Sequence, residues 1–112
     1  MELSKIHEGE IWWAKPDATV GREQAGRRPV LIISNSLYNS LVDSLALVVP
    51  LTSQNRGWSN HVLIRASLGL DKDSWAMTEQ VRTISRRRLT TRLGRVEDQT
   101  LAEVRRWVKE YL

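Results

Sequence analysis

The chain has 112 residues, no cysteine and a formal net charge of +4, which suits one domain around one core and excludes a disulfide framework or a thiolate metal site. Its N-terminus carries no long apolar stretch, so we expect neither a signal peptide nor a membrane contact, and a soluble cytoplasmic protein. The charge is uneven: between Thr52 and Val96 nine Lys/Arg, almost all arginine, stand against three acids, while both flanking segments are slightly acidic. Arginine's planar fork suits phosphate and stacks on bases, which points to nucleic acid or an acidic protein as partner.

Taken in chain order, Glu8 to Lys15 alternates as a first strand, with Ile11 and Trp13 on the packing face and Trp12 on the other, available to a second subunit. Pro16 and Asp17 end it. The loop that follows runs to Arg28 without regular structure, and loops this long in compact domains are usually functional, so it is expected to order on a substrate. Pro29 to Ser34 is a continuous apolar run, predicting a central strand buried on both faces. Pro29 holds Arg28 extended at the strand's mouth. Leu37, Tyr38, Leu41 and Val42 have helical spacing after Asn35 or Ser36 as N-cap. Leu45 to Leu51 is a third strand that ends in Thr52. If it pairs with the second, Arg28 and Thr52 meet at one edge of the sheet.

Beyond the loop from Thr52 to Ser59, Asn60 to Arg65 alternates as a fourth strand. Ser67 to Asp71 is a turn, and Ser74 to Thr78 a fifth strand that Gln80 to Ile84 continues or follows. Arg86 to Arg88 fits one helical turn, and Leu89 to Val96 is the last strand. From Asp98 to Leu112 the chain is an amphipathic helix with Leu101, Val104, Val108 and Tyr111 on one face. This succession predicts a mainly antiparallel α+β domain, a small barrel with short helices closed by the terminal helix, over residues 1–112.

Four segments carry a resemblance in register: Gly9-Glu10-Ile11-Trp12-Trp13, Gly21 to Pro29, Pro50-Leu51-Thr52-Ser53-Gln54, and Glu79-Gln80-Val81-Arg82-Thr83-Ile84. Together they resemble the MazF/PemK family of toxin endoribonucleases across nearly the whole chain. The resemblance implies an SH3-like barrel, a homodimer with an RNA groove across the subunit interface, and a small antitoxin as partner. It also implies catalytic roles for Arg28, the arginine directly before proline, and for Thr52. The chain departs from the family pattern at Glu10, where aspartate is frequent, at Arg22, where serine is, and at Pro16, which comes early. The last two reshape the loop expected to read bases.

Cleaving RNA without a metal requires deprotonation of the 2′-hydroxyl, cationic stabilisation of the phosphorane and protonation of the leaving 5′-oxygen. Arg28 suits the second task, and the Thr52 hydroxyl can bond a non-bridging oxygen. A guanidinium, with a pKa above about 12, is a poor general base. Of the two histidines, His7 lies near the frayed start and His61 is expected as a surface or groove contact. No segment has metal-ligand spacing, so no metal or cofactor is expected. Single-stranded RNA is read by stacking and by base edges. Candidate readers are Glu23, Gln24, Gln54, Glu79 and Gln80, with Arg27, Ser53 and Arg82 as further groove contacts. Glu79 and Arg82 are expected to face opposite ways, one to the groove and one to the interface. Trp58 at a loop tip is the stacking platform, whereas Trp75 and Trp107 are expected to pack. Two other functions fit the chain, a gyrase-binding poison of the CcdB type and a silent barrel that only binds RNA or an acidic partner. Neither requires a phosphate-handling pair such as Arg28 and Thr52.

Overall fold

The computed structural model describes residues 5–15 and 27–112. Its strands are β1 (Glu10–Ala14), β2 (Arg28–Ile32), β3 (Leu45–Thr52), β4 (His61–Ile64), β5 (Ser74–Met77), β6 (Arg82–Ser85) and β7 (Leu89–Arg95). The helices are α1 (Ser36–Leu41) and α2 (Asp98–Glu110), with short 3-10 turns at Ala66–Leu68, Thr78–Gln80 and Arg86–Arg88. Asn35 is the N-cap of α1, its side chain accepting the Tyr38 N–H at 2.9 Å. Of the two expected courses for Gln80 to Ile84, the chain takes the separate strand: the turn at Thr78–Gln80 ends β5 and lets β6 step from one half of β3 to the other.

All pairings are antiparallel, in the order β4-β5-β3-β2-β1-β7, with β6 on β3. Alternate residues of the inner strands divide between two cores, which is why these strands read as continuous apolar runs. Ile11, Leu31, Val49 and Leu51 enter the larger core with Leu101 and Val104 of α2. Trp12, Val30, Ile32, Ala46 and Val48 form the smaller core on the opposite face. Trp12, expected to be available to a second subunit, is buried there because β1 lies between β2 and β7 and is covered on both faces.

Among the described residues β4 and β7, the two ends of the sheet, do not pair, so the barrel stays open along that seam. Side chains fill the gap. Helix α2 crosses from Gly9, where Leu101 packs, to the end of β5, where the Tyr111 hydroxyl meets Thr78 at 2.6 Å. The turn after β4 also leans on β7. Gly69 takes φ +88, and a Cβ there would fall 2.9 Å from the Leu93 carbonyl oxygen, so glycine is required by both conformation and space.

Glu10 fastens β1 to β7. Its buried carboxylate accepts the His7 N–H (2.9 Å), His7 Nδ1 (3.2 Å), Trp12 Nε1 (3.0 Å) and Arg92 Nε (2.8 Å). Burial pushes the Glu10 carboxyl up, but these hydrogen bonds together outweigh it and hold the pKa below the ordinary value. A carboxyl depressed in the folded state stabilises above its unfolded pKa, and that stabilisation is lost as pH falls through the folded one. Glu10→Gln should therefore cost about 1–3 kcal/mol at pH 7, with the gap from wild type shrinking toward pH 3. Urea unfolding of both proteins at the two pH values checks this, and an equal gap at both would contradict it.

Candidate active site and nucleic-acid interface

Residues opposite one another in an antiparallel ladder share a face, and along a strand every second residue returns to it. Val30 pairs with Pro50, so Arg28 and Thr52, each two residues on, end their neighbouring strands on the same face. Thr52 pairs with Trp75, and Trp75 with Leu63. Arg28, Thr52, Trp75 and Leu63 thus make one row across β2, β3, β5 and β4. Trp75, expected to pack, is only partly buried and belongs to neither core. Trp107 does pack against the larger core, as its helical position predicts.

Two clefts flank Arg28. The first, about 310 Å³, is lined by Arg28, Thr52, Ser53, Trp13 and Lys72 among others. The second, about 60 Å³, joins Arg28 to Lys15, Arg82 and Arg88 over Val48 and Ile84. Arg28 is exposed, and among the described residues its guanidinium has no hydrogen bond or ion pair. Trp13, expected in the core through its alternation with Ile11, lies instead at the mouth of the first cleft with the Arg27 guanidinium 4.8 Å from its ring centroid. At the end of β1 the core has given way to the cleft, so the inward face no longer means burial. The Thr52 hydroxyl oxygen accepts the Gln54 N–H at 3.1 Å, which leaves its own hydrogen available to donate.

A second cluster lies where β4 begins. Trp58 is 51% exposed. Its ring packs at 4.9 Å and 47° against His61, and the Arg56 guanidinium lies over the same ring at 5.7 Å from its centroid. The His61 side chain is 1% exposed, so it is not a surface contact. It supports Glu79 from beneath, its Nε2 lying 3.0 and 3.1 Å from the two carboxylate oxygens. Burial pushes the Glu79 carboxyl up, yet the His61 hydrogen bond, a backbone N–H and the attraction of His61 bring it below the ordinary value. Glu79 remains an ionised acceptor at neutral pH. Gln80 and Gln54 are exposed, the former donating to the Met77 sulfur at 3.6 Å. Glu23 and Gln24 lie outside the described residues.

The basic run between Thr52 and Val96 is not one surface. Arg86 is buried and donates to the carbonyls of Leu45 (2.9 Å), Val42 (3.2 Å) and Asn39, pinning the end of α1. Arg92 is held by Glu10, and Arg95 by Asp98 at 3.1 Å. The cations around the clefts come partly from elsewhere, Lys15 and Arg28 included. Lys15, Arg88, Trp75 and Asn60 escape a sequence reading because only strand register and loop path bring them to the site. Among the described residues no group of three His, Asp or Glu side chains converges as a metal site, and no helix is long and apolar enough to cross a membrane.

Residues 7–112 match the family model described as PemK-like, MazF-like toxin of type II toxin-antitoxin system. Endoribonuclease EndoA of Bacillus subtilis is 34% identical over 102 residues, covering 88% of this chain and 87% of that protein. Endoribonuclease toxin MazF of Escherichia coli is 35% identical over 94 residues, covering 83% and 81%. Among solved structures, a MazE-MazF crystal structure from Deinococcus radiodurans superposes with a TM-score of 0.82 at 28% identity, covering 96% of each chain.

Proposed function

The chain belongs to the PemK-like, MazF-like toxin family, and from that premise we propose that Arg28 and Thr52 are the catalytic pair of its endoribonuclease. The protein is the toxin of a type II toxin-antitoxin system, an endoribonuclease with an antitoxin as partner. Its residues 1–112 form a single toxin domain that works in the cytoplasm as a homodimer. The observation that carries the catalytic assignment is that Arg28 and Thr52 end adjacent strands on one face and line one cleft.

Cleavage is sequence-selective, acts on single-stranded RNA and needs no metal, because the 2′-hydroxyl supplies the nucleophile. The bond from the 2′-oxygen to phosphorus forms as the bond to the 5′-oxygen breaks, leaving a 2′,3′-cyclic phosphate and a 5′-hydroxyl. Arg28 neutralises charge developing on the equatorial oxygens with two N–H donors, and Thr52 donates its hydroxyl hydrogen to one of them. The proton from the 2′-hydroxyl passes through the phosphate or water to the leaving oxygen, since a guanidinium is too weak a base to hold it. Ser53, Arg27 and Arg82 steer the backbone past the clefts. Trp58 stacks a base, while Glu79, Gln80 and Gln54, with Glu23 and Gln24 of the long loop, read base edges. His61 enters this set through Glu79, not by touching RNA itself.

Arg28→Ala should lower the cleavage rate by ~100- to 1,000-fold with the fold intact, and lysine, without the bidentate fork, should restore it only in part. Thr52→Ala should slow the reaction by a similar or smaller factor and Thr52→Ser should retain activity. Single-turnover cleavage in EDTA measures both, and a near wild-type rate for Arg28→Ala would remove the central assignment. Trp58→Ala should cost ~1–3 kcal/mol of affinity for an RNA made uncleavable by 2′-deoxy substitution. Unchanged affinity would leave Trp58 as an exposed loop residue.

The antitoxin inhibits by laying an acidic, disordered segment along the same cations, folding as it binds. Antitoxin and uncleavable RNA should compete, and both affinities should fall with salt. For RNA the log-log slope is expected near −0.7 per neutralised phosphate. A competition titration in which the two ligands bind together without mutual weakening would place the antitoxin elsewhere.

A further inference from the structure

We infer that Tyr111, Asn60 and His61 are positioning residues that lock the Glu79 carboxylate as a base-reading acceptor, giving the enzyme a subsite for a nucleobase with an exocyclic amino group. This rests on Glu79 as a reader of base edges and adds which base chemistry it takes and what holds it.

The hydrogen bonds among these side chains have a single consistent direction. Thr78 Oγ1 donates to the Asn60 carbonyl at 2.8 Å, so it must accept the Tyr111 hydroxyl hydrogen at 2.6 Å. The Tyr111 oxygen then accepts from Asn60 Nδ2 at 3.0 Å. The second hydrogen on that nitrogen goes to Glu79 Oε1, also at 3.0 Å. Asn60 thus has both amide hydrogens committed, one to the end of α2 and one to the carboxylate. From the other side His61 Nε2 spans both oxygens of Glu79. Nε2 is the donor in this contact, and Nδ1 is buried without a hydrogen-bond partner among the described residues. The Glu79 side chain remains 30% exposed, beside the half-exposed Trp58 ring that covers His61.

An ionised carboxylate accepts hydrogen bonds and donates none. Asn60 and His61, with a backbone N–H and the Gln80 side chain, fix its plane, and the partly exposed side chain leaves lone pairs open to a ligand. A base stacked on Trp58 can satisfy these with the amino N–H of adenine, cytosine or guanine. Uracil instead presents carbonyl oxygens on both sides of its single N–H, and these repel the carboxylate. Trp75 stands in the row of Arg28 and Thr52, and Glu79 lies four residues beyond it, so two strand spacings, roughly 10 Å, and a further four residues along the chain separate Glu79 from Arg28. The subsite therefore reads a base away from the scissile phosphate and should affect substrate binding more than the chemical step.

The test uses a bacteriophage genomic RNA of known sequence and short RNAs matching its mapped cleavage sites. Tyr111→Phe and, independently, Asn60→Ala should raise KM by about five- to tenfold with kcat within about twofold of wild type. Both should also admit uracil at a position from which wild type excludes it, as Glu79→Gln should. Thermal unfolding of each variant shows that it is folded, and Asn60→Ala serves if Tyr111→Phe is not. If Glu79→Gln changes KM and base preference while folded Tyr111→Phe and Asn60→Ala change neither, the positioning role is overturned and Glu79 stands alone as a reader. If Glu79→Gln itself changes nothing, the base-reading role of Glu79 falls and the inference with it.

Discussion

Strand β3 bonds to three partners, and that sharing governs the rest of the molecule. Along one edge it holds β2. Along the other its first half holds β6 and its last two residues hold β5. The register with β2 sets Arg28 across from Thr52, and the register with β5 sets Trp75 beside Thr52. A slip of one residue in either ladder would send one of these side chains to the opposite face. Because both faces of β3 are buried in separate cores, such a slip would also expose a row of apolar groups, so the packing that stabilises the fold also fixes the geometry of the proposed catalytic pair.

Arginine does two kinds of work here, distinguished by what the guanidinium meets. Arg86 and Arg105 donate to backbone carbonyls at places where the chain leaves regular structure, and so satisfy acceptors that no ladder reaches. Arg92 neutralises a buried carboxylate. Arg28, in contrast, opens onto clefts. Placing it directly before Pro29 keeps it extended at the strand's mouth, with its guanidinium free for an anionic substrate.

The open seam between β4 and β7 gives α2 its place. By spanning that gap the helix completes the larger core with Leu101 and Val104, and it brings Tyr111 to the loop that carries Asn60 and Trp58. A barrel closed by a ladder would have no such contact. A core-filling helix is in this way joined to the cluster on the face where RNA is expected to run. Membership of the toxin family over residues 7–112, with endoribonucleases among its relatives, decides between the endoribonuclease and the gyrase poison that the fold alone allowed.

Periodicity and punctuation were sufficient for the order of elements, an N-cap at Asn35 or Ser36, the single turn at Arg86–Arg88 and the amphipathic helix, because each depends on residues close in sequence. The four motifs were sufficient for the family, and Pro29 and the ends of two apolar runs for the meeting place of Arg28 and Thr52. Charge and aromatic roles were not legible in the same way. Arg86 looks like its neighbours in the chain but is buried, Trp12 and Trp13 exchanged their expected roles, and His61 went beneath the surface instead of onto it. Burial and pairing of such side chains depend on which strands lie adjacent and on how the 53–60 loop returns across the sheet. Those are contacts between residues far apart in sequence, and local pattern carries no information about them.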